Sequence, residues 1–262
     1  MRKNLCAGML LFLTMSSYGQ SSLPLRTGYL SQHPLSVISV SADPASVLNY
    51  RTFSMAIAGE KKFLLNEYGE YVLSLVIPEG KNGFGISGGY AGSAFLHQTS
   101  IGFCYGRNVG DKLGVALQFN YRSQVSPSHY GKYSVLFARL AMALQLGPQL
   151  RSVFQVSDPF GMDRSIRPEY SVGIGYDVSE KFYTGMLFRK QESAEPQLVL
   201  ELIYTPVSQL RIHGGINAAN ASSWIGLQWK RKQFLFGLIL GLHQQLGITP
   251  TSIAEFRKKI SS

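Results

Sequence analysis

Apolar and polar side chains alternate along most of this chain, from Thr52 to the C-terminal region. Alternation with a period of two places successive side chains on opposite faces of a β-strand. In the clearest segment one face is apolar and ends in an aromatic ring, whereas the other is small or polar. Its apolar positions are Leu113, Val115, Leu117, Phe119 and Tyr121, and the intervening residues are Gly114, Ala116, Gln118, Asn120 and Arg122. This pattern predicts a transmembrane strand with one face toward lipid and the other toward a lumen.

The same alternation recurs in about 14 segments of about ten residues each, the length that crosses a membrane as a tilted strand. They are predicted to start near Thr52, Glu70, Gly83, Phe95, Leu113, Tyr133, Leu150, Glu169, Phe182, Gln197, Leu210, Ser222, Phe234 and Ile248. Two segments are weaker than the others, because Arg139 interrupts the sixth and Pro250 lies in the fourteenth.

The connections between the segments also alternate, between short turns and longer stretches. Short turns such as 107–112, 147–149 and 230–232 follow even-numbered segments, whereas connections such as 126–132 and 157–168 follow odd-numbered ones and contain more Pro, Ser, Asn and Gly. Bacterial barrels have short periplasmic turns and longer external loops. The sequence therefore predicts an all-β protein, a transmembrane antiparallel β-barrel of about 14 strands over residues 51–262.

The N-terminal region has the layout of a secretory signal peptide. Arg2 and Lys3 precede an apolar run of 11 residues from Leu5 to Met15, whereas a membrane-spanning helix needs about 20 apolar residues. We expect residues 1–19 to be a cleaved signal and the mature protein to reach the cell outer membrane. Residues 20–50 show no clear period, and we expect a short N-terminal periplasmic arm or a partial plug of the lumen.

Composition favours a membrane protein over a soluble enzyme. Charged residues make up 15% of the chain, against about 25% in typical soluble domains. The net charge is +10, but the basic residues cluster at predicted turns. That placement favours contact with outer-membrane lipid and lipopolysaccharide over nucleic-acid binding. We therefore expect no nucleic-acid partner.

One group of polar residues is predicted to face the lumen on neighbouring strands: Glu201, Arg211 and His213. Antiparallel pairing could bring the three together, as a structural lumen network, a solute contact or a catalytic cluster. Lumen filling is the favoured interpretation, because nothing beside them supplies a nucleophile. The two cysteines and five histidines show no metal-ligand spacing. We predict no catalytic, cofactor-binding or metal residues, hence no enzyme and no cofactor.

Three short motifs resemble a known family. Ser41-Ala42-Asp43-Pro44-Ala45 lies where that family has an Asn-Pro-Ala motif, with Asp43 as a departure. The run 105–115 is similar to its strand–turn–strand element, and 243–250 to its C-terminal His and Leu-Gly-x-Thr-Pro pattern. The family comprises the PorV/PorQ outer-membrane barrels of Bacteroidetes, which are similar to FadL-type transporters. The PorV resemblance implies an accessory, partner-binding component of type IX-like protein secretion. The FadL resemblance implies a channel for hydrophobic small molecules.

Overall fold

The computed structural model describes Leu30 and residues 35–65, 68–93, 95–126, 131–159, 167–192, 194–219, 221–244 and 246–258. Within them the chain forms a closed barrel of 14 antiparallel strands, in which each strand pairs with its neighbours in sequence and β1 pairs with β14. The strands are β1 Ser54–Lys61, β2 Gly69–Glu79, β3 Asn82–Gly92, β4 His97–Val109, β5 Leu113–Val125, β6 Lys132–Gln145, β7 Leu150–Ser157, β8 Glu169–Ser179, β9 Phe182–Gln191, β10 Gln197–Val207, β11 Leu210–Asn217, β12 Ser222–Arg231, β13 Phe234–His243 and β14 Gly247–Arg257.

The predicted fold class and strand positions are confirmed. The largest differences in starting residue are two positions, at β1, which begins at Ser54, and at β4, which begins at His97. Ahead of β4 the chain turns, and the Ser93 hydroxyl accepts hydrogen bonds from the amides of Phe95 and Leu96. That turn takes Phe95 out of the strand. The expected signal at residues 1–19 lies outside the described residues and stays a prediction.

The two weak segments are both strands, for different physical reasons. Arg139 faces the lumen side of β6, where its guanidinium donates to the Ser41 carbonyl oxygen at 2.8 Å. Pro250 lies opposite Leu240 of β13. Pairing of β14 with β1 begins one residue later, at Thr251, so Pro250 has a strand on one side only. Proline lacks an N–H, and it is tolerated where a strand has a free edge.

Side chains sort onto the two faces of the barrel as the alternation predicts. The outward face carries exposed apolar and aromatic residues; on β13 they are Phe234, Phe236, Leu238, Leu240 and Leu242. Inward positions of β1 are small or polar: Ser54, Ala56, Ala58 and Glu60. An apolar band outside and a mixed interior are typical of transmembrane barrels.

The two ends of the barrel differ. One end, here called the turn end, carries connections of two to four residues, such as 80–81 and 110–112, and the start of β1 and end of β14. The other, the loop end, carries connections of three to eleven residues. Gly80 and Gly110 adopt φ values of 58° and 72° in the tight turns, a conformation that costs glycine little. No helix among the described residues has the length and apolar character that crossing a membrane requires, a finding that concerns helices alone.

Candidate functional site

Residues 35–50, here called the inner segment, lie inside the barrel as two 3₁₀ helices, Val37–Ser41 and Pro44–Asn49. Both helices begin at side-chain caps. The Ser36 hydroxyl accepts from the Ile38 amide, and the Asp43 carboxylate accepts from the Ala45 amide at 3.0 Å. Proline at the first helical position follows Asp43, an arrangement that favours a helix start.

The apolar side chains of the inner segment are buried against the barrel wall. Five of them are 0% exposed: Val37, Ile38, Val40, Ala45 and Val47. The facing wall positions on β3, β4 and β5 are glycines, where an added Cβ would lie 2.7–3.0 Å from an inner-segment atom; they are Gly83, Gly85, Gly106 and Gly114. Glycine on the inward face therefore makes room for the inner segment.

Four side chains from four different strands bind the backbone or side chains of the inner segment. The Glu255 carboxylate accepts from the Val37 amide at 3.1 Å, and Arg139 donates to the Ser41 carbonyl. The Cys104 thiol donates to the Pro44 carbonyl at 3.4 Å, and Arg151 donates to the Asn49 side-chain oxygen. Contacts on β14, β6, β4 and β7 thus hold the segment at several points around the lumen.

Asp43 lies between the two helices and is fully buried. Burial raises the pKa of its carboxyl from 3.8 to about 6, because a charged carboxylate loses its hydration there. The nearby charges of Arg151 and Arg139, together with the Ala45 amide, oppose that shift without cancelling it. The protonation state of Asp43 is therefore coupled to docking of the inner segment.

The lumen wall beside the inner segment is also apolar. Inward side chains from strands all round the barrel join Leu30 and the inner segment in one apolar cluster; they include Val72, Val76, Val153, Leu187, Val199, Ile203, Trp224, Ile239 and Ile253. An aqueous pore would present mainly polar groups to its lumen. This part of the lumen is suited to apolar contents.

Beside β2 to β6 the lumen has a polar region. A cavity of about 70 Å³, here called the polar lumen pocket, lies between the Ser41 end of the inner segment and the inward faces of β2 to β6. Its lining includes Glu70, Ser87, Asn120, Arg122, Phe137 and Arg139. Glu70 forms a salt bridge of 3.1 Å with Lys62.

The three residues of the predicted polar cluster all face the lumen, at different heights. Glu201 and His213 are 5% and 2% exposed. In the register Glu201 lies opposite Gly215 of β11, whereas His213 lies opposite Ile203 and Arg211 opposite Gln228 of β12. His213 is packed over Gly226, where an added Cβ would approach its ring to 2.3 Å. Lumen filling by Glu201, Arg211 and His213 stays a prediction.

Arg211 has charged neighbours that sequence reasoning missed. It interacts electrostatically with Glu255 and Arg257 of β14 and with Tyr50, the last residue of the inner segment. A register shift between Tyr204 and Val207 displaces β10 relative to β11. The signal that could have found this group is the inward parity of Glu255 and Arg257 in the weak fourteenth segment.

The described residues contain no group of three or more His, Cys, Asp or Glu side chains that could hold a metal ion. The lumen offers a docked inner segment, an apolar wall and a polar pocket. This arrangement suits binding and passage of a solute.

No protein family and no curated protein matches the chain in sequence. Solved structures do match its fold. The monoaromatic hydrocarbon channel CymD is 12% identical with a TM-score of 0.63, and the match covers 91% of this chain and 97% of that one. The Ralstonia pickettii toluene transporter TbuX is 11% identical with a TM-score of 0.61, covering 86% and 94%. The Acinetobacter baumannii outer membrane protein Omp33 is 10% identical with a TM-score of 0.54, covering 79% and 98%.

At these identities the matches show the fold, that of an outer-membrane type barrel. They agree with the FadL side of the resemblance drawn from the sequence, and they do not bear on the PorV/PorQ side or on Bacteroidetes. The matched proteins are channels and an outer-membrane protein.

Proposed function

We propose that this protein is an outer-membrane channel for hydrophobic small molecules, and that the inner segment controls passage through it. The observation that carries the proposal is the apolar cluster that joins the inner segment to inward side chains around the barrel. A route through such a lumen favours an apolar solute, because charged or strongly polar solutes would lose hydration without compensation.

Two further features support the proposal. The outward face of the barrel is apolar, as contact with outer-membrane lipid requires. Among the matched structures, CymD is a monoaromatic hydrocarbon channel and TbuX is a toluene transporter. The fold is therefore compatible with this class of solute. Between the two functions derived from the sequence, these matches favour the hydrophobic channel over the secretion accessory.

Uptake by intact cells tests the proposal, because a lipopolysaccharide layer slows hydrophobic solutes that would cross a plain lipid bilayer. We expect expression in a host without its own hydrophobic channels to raise the initial uptake rate of labelled toluene. A folded barrel in the outer membrane that leaves uptake unchanged would contradict the channel function. Copurification of secretion proteins with that inactive barrel would favour the accessory role instead.

A further inference from the structure

Basic side chains face the lumen at its turn end. Lys230 of β12 has the same parity as Gln228, which is buried inside the barrel. The next residue, Arg231, lies opposite Phe234 on the outward face. Because successive side chains of a strand point to opposite faces, Lys230 is at the mouth of the lumen and Arg231 is outside it.

The register brings Lys230 close to charged residues of β11 and β14. Arg211 lies opposite Gln228, two residues before Lys230 on the same face. Lys230 and Glu255 lie opposite the same residue of β13, and Arg257 follows on the inward face of β14. Neighbouring strands are about 4.8 Å apart. These side chains therefore surround one opening, here called the mouth site.

The positive charges of the mouth site repel one another. Lys230 experiences the positive charges of Arg257 and Arg211, and the negative charge of Glu255 opposes them. The Glu255 carboxylate already accepts from the Val37 amide and from the Arg257 Nε atom. Within the described part of the chain, the buried Nη2 atom of Arg257 has no hydrogen-bond partner. An anion between Lys230 and Arg257 would bind that atom and reduce the repulsion.

We propose that the mouth site binds a phosphate group, with Lys230 and the Arg257 guanidinium as its direct ligands. A phosphate group carries up to two negative charges at neutral pH and offers acceptor oxygens in several directions. It therefore matches cations on separate strands better than a carboxylate, which is planar and has a single charge. Because Lys230 faces the lumen, the ligand is free phosphate from the aqueous side rather than a lipid headgroup.

Phosphate at the mouth site also holds the inner segment in place. The Arg257 guanidinium lies 5.7 Å from the centre of the Tyr50 ring, and its partner Glu255 accepts from the Val37 amide. A ligand that fixes Arg257 therefore favours the docked position of the inner segment. This site is separate from the apolar cluster and does not depend on the proposed channel function.

Calorimetry tests the site on the folded full-length protein in a non-ionic detergent, with inorganic phosphate and acetate at constant ionic strength. We expect phosphate to bind in a saturable way, at least about tenfold more tightly than acetate, because it makes more charge-assisted hydrogen bonds. Equal affinity for the two anions, or no saturable binding of phosphate, would overturn the proposal.

A pair of neighbouring substitutions separates the mouth site from net charge. Lys230→Gln should weaken phosphate binding about tenfold. Arg231→Gln removes the same charge from the next residue on the outward face and should leave binding unchanged. Equal losses in the two variants would overturn the site.

Arg257→Lys tests the guanidinium itself. This substitution keeps a positive charge beside Glu255 and removes the Nη2 atom, so we expect weaker phosphate binding by a folded barrel. Undiminished binding would overturn the assignment of Arg257 as a ligand.

Nanodiscs distinguish free phosphate from a lipid phosphate. The affinity for inorganic phosphate should be the same in phosphatidylcholine nanodiscs with and without phosphatidic acid. If phosphatidic acid abolishes the binding, the site takes a lipid headgroup and the assignment to free phosphate is wrong.

Hydrogen exchange tests the link to the inner segment. Phosphate should slow exchange of the Val37 amide in the original protein and not in Lys230→Gln, because a ligand of the docked form stabilises that form. Unchanged exchange of this amide at saturating phosphate would overturn the link.

Discussion

Single residues in the lumen have roles that alternation predicts only in part. Parity places Gln118, Glu201, Arg211 and His213 inward, and all four lie there. Alternation does not reveal what each one touches. Parity alone suggests that Gln118 would tolerate replacement by arginine, yet it is 0% exposed and lies opposite Arg139. Its neighbours depend on strand register and on the inner segment, neither of which a two-residue period encodes.

On the outward face, the cost of a charge should depend on its depth in the bilayer. Leu238 lies mid-strand on β13 and is 66% exposed, and Leu242 faces the same way near the loop end. We expect Leu238→Arg to destabilise the barrel by about 2–4 kcal/mol and Leu242→Arg by about 0–1 kcal/mol. Heat-dependent gel mobility of the two variants measures folding, and equal destabilisation would contradict the assignment of the lipid face.

Glu255 is the residue whose loss should most disturb the turn end of the lumen. It accepts the Val37 amide and forms a salt bridge with Arg257. We expect Glu255→Ala to cost about 3–5 kcal/mol, because it leaves buried positive charge uncompensated. The exposed residue Glu79 at the end of β2, changed to alanine, is the control. Thermal melting of both variants measures the difference, and a loss no larger than that of Glu79→Ala would refute the assigned role.

At the scale of elements, strands were predictable and the inner segment was not. Strand starts follow from side-chain alternation, which lipid and lumen impose on every strand. The 3₁₀ helices are too short to show a period, and only Asp43 followed by Pro44 signals a helix start. Whether residues 20–50 form an arm or a plug was therefore open from sequence. The burial of residues 35–50 depends on glycines far away in the chain.

Docking of the inner segment should depend on pH through Asp43. Its folded pKa of about 6 lies above the ordinary 3.8, so the contribution of Asp43 to stability is full below pH 3.8 and is lost as the pH rises through about 6. The total change in the free energy of unfolding from this group is on the order of 2–3 kcal/mol. Melting temperatures at about pH 4 and pH 7 measure this loss. Asp43→Asn should remove that component of the difference, and an unchanged difference would contradict the coupling.

A disulfide between the inner segment and the wall should block passage. Val47 Cγ2 and Cys104 Cβ each lie 3.4 Å from the same point above Gly85, so a cysteine at position 47 would lie beside Cys104. We expect oxidised Val47→Cys protein to lose toluene uptake and reduced protein to regain it. The same variant with Cys104→Ser cannot form the bond and should be insensitive to oxidation. Full uptake by the crosslinked protein would mean that the inner segment does not control passage.

At the scale of the whole molecule, the barrel could be predicted because two independent patterns agree. Side-chain alternation gives the strands, and the alternation of short and long connections gives their up-and-down order. What fills the interior could not be predicted. Barrels of 8 strands are filled by their own side chains, whereas barrels of 16–18 strands leave an aqueous channel. A barrel of 14 strands lies between these cases.

Removal of the inner segment should convert the barrel into an open pore. We expect a protein lacking residues 35–50 to conduct ions in planar bilayers at a higher level than the original protein, because the apolar cluster loses its central members. Heat-dependent gel mobility must first show that the shortened barrel is folded. A folded, shortened barrel with unchanged conductance would contradict the position assigned to the segment.

The hydrogen bond from Val37 to Glu255 joins residues that are 218 positions apart in the chain. The same 3₁₀ helix, Val37–Ser41, also contacts β1 and β2. The inner segment therefore binds both strands of the seam where β1 meets β14. Joining distant parts of a chain costs entropy that grows with their separation, and until they meet, both strands are open edges prone to wrong pairing. By binding both, the inner segment stabilises the closed barrel at this seam.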